Sequence, residues 1–223
     1  MALRLIIGNK TYSSWSFRPW IAMKVARLPF EETVISLEAS DFKVRIEAVS
    51  PAGRVPVLVD GQVVIWESLA ILEYLADKFS DAALWPAQAA VRAQARAIAN
   101  EMHAGFQPLR RHLPMNMARP VKPRALDEEV AVDVARIEAI WRGCREKFGG
   151  PFLFGRSFGA ADAMYAPVVS RLHTYGVEVG GNARGYMAAV MALPAWGEWR
   201  TAARSESWVL PHDEVDWPEV LRE

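Results

Sequence analysis

The sequence predicts two units of different class: an α/β unit over residues 1–80, a linker over 81–87, and an all-helical unit over 88–223. Three observations carry this. Strand-like apolar runs alternate with runs of helical periodicity over roughly the first eighty residues. Asp60-Gly61 between two valine-rich runs marks a β-hairpin turn. Beyond the break at Ser80-Asp-Ala-Ala-Leu-Trp-Pro-Ala87, no strand pattern recurs.

In order, residues 3–7 read as the first strand, 16–28 as a helix and 33–37 as the second strand. Residues 42–49 form a short helix, stopped by Ser50-Pro51. The hairpin pairs 55–59 with 63–65, and 69–79 closes the unit with Leu69, Leu72, Leu75 and Phe79 on one helical face. A βαβ unit, a hairpin and a closing helix build a four-stranded mixed sheet covered by helices. In the second unit, 89–113 reads as a long helix bent by Gly105 and Pro108, and the proline-rich 114–123 as a loop. Further helices follow over 125–148, 161–175 (kinked by Pro167), 183–191 and 194–204. The tail, 207–223, carries two tryptophans and two prolines and is expected to lie over the surface.

Lysine plus arginine and aspartate plus glutamate each number 26, so no charge excess marks a nucleic-acid or membrane partner. A single cysteine, Cys144, excludes an internal disulfide and any Cys-x-x-Cys site. Its helical register with Trp141 and Phe148 makes it a small buried hydrophobe. The four histidines have no metal-ligand spacing, so no metal is expected. With no signal peptide or uncharged run of 18 residues, the expected location is cytoplasmic.

The chemistry is expected at residues 11–20, Thr-Tyr-Ser-Ser-Trp-Ser-Phe-Arg-Pro-Trp. A strand leading through hydroxyls into a helix start favours an anion. Proline is tolerated in a helix's first turn, so Pro19 makes Ser16 the N-cap and leaves Ser13 and Ser14 in the preceding loop. Tyr12 reads as the last strand residue. On this pattern alone, the serines fit either a ligand site or an exposed turn.

Three segments together resemble the glutathione S-transferase family, its zeta class (maleylacetoacetate isomerase-like) above all. They are Tyr12-Ser-Ser-Trp-Ser-Phe-Arg-Pro-Trp-Ile-Ala-Met23, Ser50-Pro-Ala-Gly-Arg-Val-Pro-Val-Leu58 and Trp66-Glu-Ser-Leu-Ala-Ile-Leu-Glu-Tyr-Leu75. The resemblance implies a thioredoxin-like N-terminal domain, an all-α C-terminal domain, glutathione as co-substrate and a homodimer. It implies that Val55-Pro56 is a cis-proline turn pairing with the cysteinyl part of glutathione, with Trp15 and Arg54 beside it. It also implies that Ser68, which reads as a helix N-cap, binds the γ-glutamyl carboxylate while Glu67 holds the ammonium. Ser13, five residues before Arg18, becomes the hydroxyl that lowers the thiol pKa, with Ser14 a second donor. Trp15, Met102, Phe106, Met164 and Tyr165 are expected to line the second-substrate pocket, with Arg110 and Arg171 supplying charge.

The chain also departs from the zeta pattern. Trp15 stands at a cysteine position, Trp20 at an arginine position, and Thr174 where zeta enzymes carry an arginine late in a helix. Gly159 replaces a capping hydroxyl residue, with Asp162 in a structural role. The expected activity is a glutathione transferase that conjugates or isomerises a small, partly apolar electrophile. The alternative is a non-catalytic glutathione carrier of the same fold.

Overall fold

The computed structural model describes residues 2–215. Strand β1 (Leu3–Ile7) is interior to a four-stranded sheet with β2 (Phe30–Val34), β3 (Val57–Asp60) and β4 (Val63–Trp66), in the order β2-β1-β3-β4. β1 pairs parallel to β2, with Leu3 opposite Phe30, and antiparallel to β3, with Leu5 opposite Leu58. Its side chains alternate between two layers, as the period of a strand requires. Leu3, Leu5 and Ile7 pack with Phe17 and Ile21 of α1 (Ser14–Val25) and Leu72 and Leu75 of α3 (Ser68–Lys78). Ile6 faces the other way, into a small cluster with Ile35, Val57 and Ile46 of α2 (Phe42–Glu47).

The second strand begins at Phe30 rather than residue 33. It is an edge strand, where charge on the outer face is favoured. Glu31 and Glu32 therefore lie within it, and Glu32 accepts from Trp20 Nε1 at 2.5 Å and pairs with Lys10 at 2.7 Å.

Helix α1 begins at Ser14 with Ser13 as N-cap, two residues before the expected start, and Pro19 lies inside it. Ser13 O accepts from Phe17 N at 3.1 Å. Ser16 does not cap; its buried Oγ accepts from Gly8 N at 3.1 Å and from Ser13 Oγ at 2.7 Å. That ties the first turn of α1 to the end of β1, while Pro19 removes one intrahelical bond. Tyr12 lies in the turn after β1, which ends at Ile7, rather than in the strand.

The helical domain holds α4 (Ala89–Ala104), α5 (Gln107–His112), α6 (Glu128–Phe148), α7 (Ala160–Thr174), α8 (Gly181–Met191) and α9 (Pro194–Arg204). The predicted 89–113 helix is two helices, because Phe106 adopts a left-handed φ of 61°. α7 is the central element, with every residue but His173 buried. At its start Asp162 accepts from Leu153 N at 3.0 Å and Gly159 N at 2.9 Å. A Cβ at Gly159 would lie 2.9 Å from Leu84 O, so glycine stands there because no side chain fits. Burial raises the Asp162 carboxyl to about 6 and the buried Cys144 thiol to about 11.

The described part of the tail runs over the surface, with Trp208, Pro211 and His212 exposed, and is pinned there by buried residues. Leu210 is buried, and Pro211–Asp213 form a short 3-10 turn against the start of α1. The rest of the tail, 216–223, is outside the described residues. Among the described residues no helix is long and apolar enough to cross a membrane, and no group of three or more metal-ligating side chains occurs.

Candidate active site

Two adjoining cavities lie where the domains meet, one of about 380 Å³ and one of about 260 Å³. Trp15, Arg54 and Val55 line both and form the partition between them.

The smaller cavity gathers Pro56, Glu67, Ser68 and His103 around that partition. The Val55-Pro56 peptide is cis, as the sequence motif implied. Glu67, not Ser68, is the N-cap of α3. It takes a positive φ of 68°, sparsely populated for a residue with a side chain, and Ser68 becomes the first helical residue. Ser68 is 1% exposed and its Oγ has no hydrogen-bond partner. An unpaired hydroxyl at a helix start is a ready anion ligand.

His103 of α4 enters from the helical domain, its Nε2 3.7 Å from Glu67 Oε2 and its ring 5.3 Å from that of Trp15. Burial, reinforced by Arg18, lowers its pKa, so the imidazole is neutral at pH 7. No local motif marks His103, since its partners come from the other domain.

The larger cavity opens beside the start of α1. Ser13 and Ser14 line it with Arg110 and Arg171. Arg171 is 5% exposed and donates to Leu113 O at 2.6 Å, Arg110 O at 3.4 Å and Ser14 Oγ at 3.2 Å. Arg110 donates to Gly105 O at 3.1 Å and to Met102 O. All these acceptors are neutral. Burial brings both guanidinium groups down to about 10, Arg171 with help from Arg110, so both remain cationic at pH 7.

Arg18 is wholly buried, with no hydrogen-bond partner on its three nitrogens. Its guanidinium lies 4.1 Å from the Trp15 ring centroid, and that of Arg110 lies 4.8 Å away. Trp15 is therefore a cation–π platform for two arginines.

The two serines differ in their partners. Ser13 donates to Ser16 Oγ, whereas Ser14 accepts from Arg171. Of the expected second-substrate residues, Trp15, Arg110 and Arg171 line the larger cavity. Met102, Phe106, Met164 and Tyr165 do not; they are buried in the hydrophobic core, and Tyr165 packs on Trp141 and donates to Ile98 O at 3.2 Å. α7 is buried all round, so helical periodicity could not separate a core-facing from a cleft-facing residue. Their place is taken by Leu37, Phe42, Pro114, Met115 and the tail residues Leu210, His212 and Asp213.

This arrangement, a thioredoxin-like sheet domain with a serine at a helix start and an all-helical partner, defines a class. The family model described as "Glutathione S-transferase, N-terminal domain" matches residues 12–78, and that of the C-terminal domain matches 65–202. The chain belongs to the glutathione S-transferase family. Within it, the chain is 41% identical over 98 residues to a probable maleylacetoacetate isomerase of Caenorhabditis elegans, spanning 44% of this chain and 45% of that one. It is 25% identical to a probable maleylacetoacetate isomerase of Vibrio cholerae, over 88% of this chain and 95% of the relative. It is also 29% identical to a zeta-class glutathione S-transferase of Euphorbia esula, over 70% and 71%. Among solved structures, a bacterial zeta-class maleyl pyruvate isomerase superposes with a TM-score of 0.71 at 24% identity, over 92% of this chain and all of that one, a likeness of fold.

Proposed function

We propose that this chain is a glutathione transferase of the zeta kind whose serine pair stabilises the glutathione thiolate and whose buried arginines select a carboxylate-bearing electrophile. The carrying observation is the Arg171–Ser14 hydrogen bond, which couples a cationic pocket to a hydroxyl with a proton to give.

The residues present fit glutathione, since the unpaired Ser68 Oγ at the start of α3 suits a carboxylate. Bound there, glutathione supplies the nucleophilic thiol. Ser68 holds its γ-glutamyl carboxylate, Glu67 the ammonium, and the Val55 backbone its cysteinyl amide, with Trp15 and Arg54 alongside. Ser14 Oγ donates to the sulfur, with Ser13 beside it, and hydrogen bonding to the charged form lowers the thiol pKa. The positive end of α1 acts in the same direction. Arg110 and Arg171 hold the electrophile's carboxylate and orient its reacting carbon toward the sulfur. An unsaturated carbonyl acid fits this geometry for both addition and double-bond isomerisation. That agrees with the names of the relatives. The same reading includes a homodimer, which light scattering would test.

A substrate panel with glutathione tests the proposal: an aryl halide, an enoyl acid and a maleyl-type isomerisation substrate, each with wild type, Ser13→Ala, Ser14→Ala and Arg171→Gln. Turnover on the acids that falls in Ser14→Ala and Arg171→Gln is expected. Glutathione binding without turnover across the whole panel would instead favour the carrier.

A further inference from the structure

The larger cavity has a wall built from chain beyond residue 202, where the family match ends. Two acidic anchors fix that segment to the turn that runs into Ser13. Before the wall, the Glu206 carboxylate accepts from Lys10 N at 2.7 Å, Thr11 N at 2.9 Å and Thr11 Oγ1 at 2.8 Å. After it, Glu214 Oε1 accepts from Tyr12 Oη at 2.5 Å. Between them Leu210, His212 and Asp213 line the cavity together with Ser13, Ser14 and Arg171.

Among the described residues lining this cavity, Asp213 is the one acid, set against Arg54, Arg110 and Arg171. Its place follows from the fold of the strap. The 3-10 turn over Pro211–Asp213 closes with Asp213 N donating to Leu210 O at 3.0 Å, and Leu210 is 4% exposed. Burial raises the Asp213 carboxyl, while His212 and Arg171 oppose the rise and Glu214 adds to it. The hydrogen bonds made by Arg171 all go to neutral oxygens, and Asp213 lines the same cavity with a charge that, after Tyr175, favours the protonated guanidinium.

We infer that residues 206–214 form a specificity strap for the electrophile pocket, in which Asp213 acts as a built-in carboxylate that competes with an entering anion for the field of Arg171. The inference rests on the acidic-electrophile reading above. The strap sets how strongly anions are held beside the serines. Asp213 is a positioning residue here; it touches no reacting atom.

Calorimetric binding of succinate, an unreactive dicarboxylate, tests this without turnover. The proteins are wild type, Asp213→Asn, Asp213→Glu and Arg171→Gln. Removing one like charge near the bound anion should tighten succinate by on the order of threefold to tenfold in Asp213→Asn. Asp213→Glu should stay near wild type, and Arg171→Gln should bind more weakly. Unchanged or weaker binding by Asp213→Asn, with Arg171→Gln impaired, overturns the strap and leaves the acidic-electrophile reading standing. Equal binding by wild type and Arg171→Gln, or no binding by wild type and Asp213→Asn, overturns both.

Discussion

Arg171 Nη2 donates to Ser14 Oγ across 3.2 Å, joining the last turn of the central helix α7 to the first residue of α1. A hydroxyl that accepts from a cation becomes a better donor itself. The contact ties the helical domain to the chemistry proposed for the α/β domain. Arg171→Met should therefore do two things: lower kcat/KM for an acidic electrophile by on the order of 10- to 100-fold, and raise the pKa of bound glutathione. An effect on the electrophile alone would show that Ser14 needs no polarisation.

Ser68 separates binding from folding. Its Oγ is buried without a partner, so removing it breaks no hydrogen bond within the chain. In Ser68→Ala the urea midpoint should stay within error of wild type. KM for glutathione should rise by about tenfold, the worth of one hydrogen bond to a charged group. A drop in stability without a change in KM would make Ser68 structural.

Trp15 should matter for stability as well as for selectivity. It stacks near Arg18, whose guanidinium is wholly buried with no hydrogen-bond partner. Trp15→Ala should cost about 2 kcal/mol or more in urea unfolding. Trp15→Phe keeps a ring face for both arginines and should recover most of that loss. Equal losses in the two variants would remove the cation–π platform from the account.

Asp162 gives a pH signature. Burial raises its folded pKa to about 6, above the usual carboxylate value of 3.8. Between those values the native state binds more protons than the unfolded state, so the Asp162 contribution to stability falls as pH rises through that window. Asp162→Asn should be destabilised, because two backbone donors rely on its two oxygens. The gap between wild type and Asp162→Asn should narrow from about pH 4 to about pH 7 in urea unfolding. A gap that widens with pH would mean the carboxylate is stabilised as the anion.

Most of the sheet domain was legible because its signals are local: the apolar run Leu3–Ile7, the turn Asp60-Gly61 and the helical face of Leu72 and Leu75. Elsewhere tertiary contacts override the local signal. Ser16 looked like a cap, yet its hydroxyl is taken by Gly8 N and Ser13. Ser68 also looked like a cap, but Glu67 adopts the positive φ that moves the helix boundary. At the site, Ser13, Ser14, Val55 and Glu67 could be found as short motifs. His103, Leu210 and Asp213 could not, because they reach the site from elements distant in sequence. The place of Met164 and Tyr165 is not legible locally, because α7 has no solvent face to break its symmetry.

If hydroxyls at the start of α1 hold the thiolate, ultraviolet titration of bound glutathione will read it. The wild-type complex should show thiolate formation at a pH below that of free glutathione. Ser14→Ala should move it back furthest and Ser13→Ala less, because Ser13 already donates its proton to Ser16. A wild-type complex that titrates like free glutathione, or one whose pKa neither substitution moves, would mean that the serines do not hold the thiolate.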